Sequence, residues 1–146
     1  MSLKLPTDES IVSRRQEIVA SLRAIVPGEG VIATEKEMRP YECDGLTAYR
    51  QLPMVVVLPD TTEQVRRVLK LCHEQGIKVV PRGAGTSLSG GALPLSDGVL
   101  LGMAKFNRIR EIDFPNRAAV VEPGVTNLAV TQAVEHAGFY YAPDPS

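Results

Sequence analysis

The residues best suited to hold a ligand lie between Pro81 and Gly91, where the sequence reads PRGAGTSLSGG. Gly83, Gly85, Gly90 and Gly91 let the backbone turn sharply and enter positive φ, and they carry no Cβ to keep a ligand off the main chain. Successive N–H groups can then converge on an anion as a nest. Thr86, Ser87 and Ser89 add hydroxyl donors. A diphosphate, which offers several acceptor oxygens and negative charge, suits this arrangement; a surface loop with no ligand is the plainer alternative. Two familiar phosphate motifs are excluded. A Walker loop ends in Gly-Lys-Ser/Thr, but no lysine follows here until Lys105. A Rossmann turn needs GxGxxG running into a helix, whereas residues 83–88 read GAGTSL and the following GGALP does not start one.

Other reactive side chains are few. His73 and His136 are the only histidines. Both fall near the ends of predicted helices, where terminal carbonyls are their expected partners. Asp44 is isolated, as a turn-forming acid usually is. Cys43 and Cys72 have no CxxC spacing and no histidine at ligand distance, so two reduced thiols are expected rather than a disulfide or a metal site. No residue is assigned as catalytic. Sixteen basic against 17 acidic residues give a net charge of -1, which argues against capture of nucleic acid. The adjacent pairs Arg14-Arg15 and Arg66-Arg67 read as solvated helix faces. Residues 1–10 lack a basic and then apolar leader, and the apolar run at 54–59 is too short to span a bilayer. A soluble cytoplasmic protein is expected.

The elements that must position the loop are legible around it. Ile11, Ile18, Val19, Leu22, Ile25 and Val26 form one stripe of a helix over 10–26, ended by Pro27-Gly28. Residues 28–53 predict short strands and loops. Met54 to Leu58 reads as a strand covered on both faces. Thr61 and Gln64 have capping-box spacing. Val65, Val68, Leu69 and Cys72 continue that helix to Gly76, and Ile77 to Val80 forms the next strand. Together 54–80 predict a βαβ unit with a parallel, right-handed crossover. Strands follow at 98–101 and 110–114, then a turn at Pro115-Asn116 and a hairpin return at 118–121. A last helix is capped by Thr126 or Asn127 and closed by Gly138. The extended stretch that ends in Pro143-Asp144-Pro145-Ser146 is expected to continue in a longer chain.

Read together, PRGAGTSLSGG, Tyr41-Glu42-Cys43-Asp44-Gly45-Leu46 before it, and Val121-Glu122-Pro123-Gly124-Val125 and Tyr141-Ala142-Pro143-Asp144-Pro145-Ser146 after it resemble the FAD-linked 2-hydroxy-acid oxidoreductases. These belong to the vanillyl-alcohol-oxidase type and include the FAD-binding subunits of bacterial glycolate oxidase and the D-lactate and D-2-hydroxyglutarate dehydrogenases. The likeness covers about residues 35–146. It implies an α+β fold, the N-terminal part of a PCMH-type FAD-binding domain: a βαβ unit plus further strands and helices. Residues 1–30 would be a helix and lead-in, and 31–146 the first part of that domain.

The resemblance further implies that Pro81, Arg82, Gly83, Ala84, Gly85, Thr86, Ser87, Gly90 and Gly91 hold the FAD pyrophosphate, chiefly through backbone N–H groups. Arg82 would be placed to neutralise its charge. Pro143, Asp144 and Ser146 would start a second loop along the flavin, with Pro123-Gly124-Val125 in a nearby turn. Thr86 stands where some relatives carry a flavin-linked histidine, so the implied FAD is non-covalent. The implied reaction moves hydride from C2 of a small 2-hydroxy acid to flavin N5. The implied partners are a second flavin-domain subunit and an iron–sulfur subunit, which could bring the protein to a membrane peripherally. Two other readings stand beside this one: different FAD chemistry on the same scaffold, such as an NADPH-dependent cell-wall precursor reductase, and a non-catalytic nucleotide-binding module.

Overall fold

A computed structural model describes residues 6–143. The chain divides into two compact units, one running up to Met103 and one from Ala104 onward.

In the first unit the β-branched run becomes a strand with no exposed face. Counting in chain order, β1 is Val31–Ile32 and this strand is β2, Val55–Val57. The Thr61 hydroxyl then accepts the Gln64 amide at 3.2 Å, while Gln64 Oε1 takes the Asp60 amide at 2.7 Å. That is a reciprocal cap of the expected kind, with its return bond one residue early. The helix it starts spans Thr62–Glu74. It closes at Gly76 (φ 67°), where the Ile77 amide reaches the Cys72 carbonyl at 2.8 Å. Val68 and Cys72 are buried, but Leu69 is 44% exposed and falls outside the stripe expected for it.

Strands β3, Lys78–Arg82, and β4, Gly98–Gly102, complete a sheet of order β1-β2-β4-β3. β1 is antiparallel to β2; β2, β4 and β3 are mutually parallel. The two strands of the expected βαβ unit are thus parallel but not adjacent, because β4 lies between them. Burial explains the order. Every residue of β4 is buried, whereas β3 exposes Lys78 and carries Pro81, which has no amide to donate and is best tolerated at an edge.

The single helix expected over 10–26 is two. Helix α1, Glu9–Ser13, is capped by the Asp8 carboxylate, and α2 spans Arg15–Ile25, with Arg14 (φ -93°, ψ 8°) breaking the run. The Ser13 hydroxyl donates to the Ser10 carbonyl at 2.9 Å, a local bond that competes with regular helix. Ile11, Ile18, Leu22 and Val26 pack with Val55, Val57, Val68, Cys72, Val99 and Leu101 in one core. Arg15 corrects the solvated-face reading. It is half-buried, donating from Nε to the Met54 carbonyl at 2.9 Å and from Nη2 to the Ala33 carbonyl. Arg66 behaves as expected, pairing with Glu63 at 2.6 Å on an exposed face.

Residues 28–53 include, besides β1, a short helix α3, Glu35–Met38; the long helix from Thr62 is therefore α4. Met38 joins Val56 and Leu100 in a smaller cluster on the alternate face of the strands. Asp97, 2% exposed, accepts from Lys78 Nζ and from the Asp8 amide, each at 2.7 Å. Burial works against its charge, but these donors prevail and hold its carboxyl below the usual range.

In the second unit β5, Ile109–Asp113, and β6, Ala118–Val121, form an antiparallel hairpin with a register shift between Ile109 and Glu111. The Asp113 carboxylate receives the Asn116 amide at 3.0 Å and Nδ2 at 2.7 Å across the turn. Thr126 rather than Asn127 caps α5, Asn127–Val134, by accepting the Ala129 amide at 3.2 Å. A 3-10 turn, Glu135–Ala137, extends it to Gly138 at φ 78°. Among the described residues no helix is long and apolar enough to cross a membrane.

Candidate functional site: the glycine loop

β3 carries Pro81 and Arg82 in register with Leu101 and Gly102, so the loop opens at Gly83, two residues later than the sequence suggested. Gly85 (φ 75°) and Gly90 (φ 76°) take the backbone where L-residues are strained. Inside the loop the Ser87 hydroxyl accepts the Ser89 amide at 3.3 Å, and Gly90 O accepts the Leu93 amide at 3.2 Å. The amides of residues 83–88, 90 and 91 donate to no group among the described residues. A Cβ added at Gly90 would meet nothing within 4 Å, and one at Gly91 only Ser87 Oγ at 3.9 Å, so this side of the loop is open. Beside it lies a cleft of about 480 Å³, walled by Leu46, Tyr49, Val80, Leu88 and Leu93 and by residues 89–91 of the loop. Unused amides next to an apolar hollow fit a dinucleotide cofactor, whose diphosphate needs donors and whose rings need apolar walls.

The Arg82 side chain is spent on backbone carbonyls. It is 7% exposed, and its guanidinium donates from Nη1 to the Tyr41 carbonyl at 3.1 Å and from Nη2 to the Ala92 carbonyl. Burial pushes its pKa below the ordinary value, against the attraction of Asp44. Asp44 is the turn-former expected: 5% exposed, its Oδ1 accepts the Leu46 amide at 3.0 Å. Asp44 Oδ2 and Arg82 Nε are both buried without a hydrogen-bond partner among the described residues. Gly45 touches the loop itself; a Cβ there would lie 2.6 Å from the Thr86 carbonyl oxygen and 3.1 Å from that of Ser87. Residue chemistry alone did not single out Gly45. Its one signal was membership of the YECDGL segment.

The remaining expected residues fall elsewhere along the chain. Pro143 belongs to the second unit, where its carbonyl accepts from Asn127 Nδ2 at 3.2 Å. Asp144 and Ser146 fall outside the described residues. Pro123-Gly124-Val125 forms the turn between β6 and α5, with the Gly124 amide on the Phe106 carbonyl at 2.7 Å. His73 sits in the last turn of α4, and the His136 ring meets Phe114 edge-on at 6.0 Å. Both cysteines are free thiols; burial pushes Cys72 up to about 11. The residue that sequence reading passed over is Glu122. It is 4% exposed and takes the Arg108 amide at 3.0 Å, Arg108 Nη2 at 3.1 Å and Arg110 Nη2 at 2.9 Å. Led by the Arg108 bonds, these donors draw its carboxyl down to about 2.

Comparison with known proteins agrees with this geometry. Residues 53–146 match the family model described as an FAD binding domain. The chain is 54% identical over 132 residues to glycolate oxidase subunit GlcD of Escherichia coli K12, covering 90% of this chain and 26% of that one. It is 33% identical over 130 residues to a D-lactate dehydrogenase of Anaerostipes hadrus, covering 88% and 27%. The crystal structure of p-cresol methylhydroxylase with substrate bound superposes with a TM-score of 0.73 at 27% identity, covering 90% of this chain and 26% of that one. The PCMH-type fold expected from the sequence is therefore present. The chain spans about a quarter of the length of these curated relatives. With its loop, its sheet and these likenesses in agreement, the chain belongs to the FAD binding domain family.

Proposed function

We propose that this chain holds the FAD pyrophosphate in a flavin-dependent oxidoreductase of small 2-hydroxy acids, glycolate or D-lactate. The observation that carries this reading is the set of unused amides at residues 83–88, 90 and 91, open on the side of Gly90 and Gly91. The chemistry FAD supplies when bound is acceptance, at N5, of the hydride leaving C2 of the hydroxy acid. The task of this chain is to bind and orient. Backbone N–H groups of residues 83–87, 90 and 91, with Pro81 and Arg82 fixing the entry from β3, receive the diphosphate. The walls of the cleft shield an apolar part of the cofactor from water. Pro143, Asp144 and Ser146 begin a second contact along the flavin. The base that takes the hydroxyl proton is supplied by sequence other than these residues.

Thr86, with no nucleophilic ring to form a bond, supports non-covalent attachment. The flavin domain begins near residue 31, where β1 joins the sheet. That a relative is named as a glycolate oxidase subunit supports a multi-subunit enzyme. A second flavin-domain subunit and an iron–sulfur subunit are the partners proposed, in a cytoplasmic assembly that reaches the membrane through them.

The test uses the whole protein, including whatever sequence follows Ser146. Expected is a yellow preparation that bleaches anaerobically on addition of glycolate or D-lactate and releases its flavin on acid precipitation. A colourless preparation that free FAD cannot reconstitute would end this reading.

A further inference from the structure

We propose that Arg82 serves the FAD site from behind, as a positioning residue: with Asp44 and Gly45 it clamps the glycine loop into the curvature that turns its amides toward one point. The inference rests on the function proposed above and adds roles for three residues to it.

A loop rich in glycine has more conformations to lose than any other, and amides turned toward a common point repel one another until an anion arrives. Something must hold the loop in shape. Arg82 stands at its entry, and its guanidinium reaches the carbonyl of Ala92 just past its exit. The same group holds the Tyr41 carbonyl, fastening the loop to the segment ahead of β2. Two carbonyls in different directions suit the rigid, planar fork of arginine; a lysine ammonium on a flexible stem does not reproduce it. Gly85, at positive φ, leaves the space in which this side chain lies, since a Cβ there would stand 3.3 Å from Arg82 Cδ.

A buried guanidinium on neutral carbonyls needs a counter-charge. Asp44 is the buried acid that attracts it. Its backbone turn, closed by the Leu46 amide on Oδ1, delivers Gly45 against the main chain of Thr86 and Ser87. The atoms that a Cβ at Gly45 would strike are all backbone, so the loop itself would have to move. The side chain at the mouth of the loop is thus turned onto backbone carbonyls, and residues 41–45 brace the loop.

The experiment titrates FAD into flavin-free whole protein, reading Kd from flavin fluorescence at low and high salt and the thermal midpoint of the flavin-free form. Arg82→Lys keeps the charge and loses the fork. Its Kd is expected to rise about tenfold or more, the loss that goes with a broken charge-assisted hydrogen bond, while the salt dependence stays that of the wild type. Gly45→Ala is expected to weaken FAD similarly. Val68→Ala, a cavity in the α4 core, is expected to lower the midpoint at least as much with Kd unchanged, which separates loop shape from general stability. Wild-type affinity in either Arg82→Lys or Gly45→Ala overturns the clamp. If Arg82→Lys does not fold, Gly45→Ala decides alone. Failure of the wild type itself to bind FAD would defeat the functional reading instead.

Discussion

Glu122 receives the Arg108 amide and two guanidinium groups with almost none of its own surface in water. Its charged form is therefore favoured by folding. The carboxyl titrates at about 2 in the fold against 4.5 as its ordinary value. The sign follows from linkage: the stabilisation is complete above pH 4.5 and is lost as pH falls through about 2. Glu122→Gln is expected to lower the thermal midpoint by a few degrees at neutral pH. In circular-dichroism melts between pH 7 and pH 2 it should also flatten the acid limb relative to wild type. Parallel acid limbs for the two proteins would contradict the assignment. This site was hard to read from sequence because its donors are 12 and 14 residues away and meet it only through the hairpin register. The partners of Arg82 were hidden for a related reason. Its position beside the loop was legible, but the direction of its side chain depends on Tyr41, which is 41 residues distant.

Elements whose signals are local were legible. The strand at Val55–Val57, the cap at Thr61 and the stop at Gly76 each depend on residues a few positions apart. Thr61→Ala removes the acceptor of the Gln64 amide and is expected to cost about 1 kcal/mol in denaturant unfolding. A change within error would show that the Gln64–Asp60 bond suffices alone. Two features escaped. The break at Arg14 escaped because the apolar stripe continues across it, with Ile11 and Ile18 in the same core. The insertion of β4 between β2 and β3 escaped because strand order is a tertiary choice; here burial and the placement of Pro81 decide it.

At the scale of the whole chain, the second unit leaves apolar surface uncovered. Leu128 is 65% exposed, Tyr140 74% and Val120 51%. A hollow of about 490 Å³, lined by Phe114, Val121, Val130, Phe139 and Tyr141 among others, opens in the same unit. Surfaces of this kind promote association. The 146-residue chain alone is expected to bind a hydrophobic dye such as ANS and to self-associate on size exclusion. Leu128→Ser combined with Tyr140→Ser should reduce both, and a chain that stays monomeric and dye-free would refute this.

The sheet order also has a consequence for synthesis. Among the described residues β3, from which the glycine loop springs, has β4 as its single neighbour in the sheet. A nascent polypeptide leaving the ribosome presents β2, α4, β3 and the whole loop before residues 98–102 have emerged. Until they do, the loop's root has no strand to lie against, so the loop takes its shape late, after its own sequence has been translated.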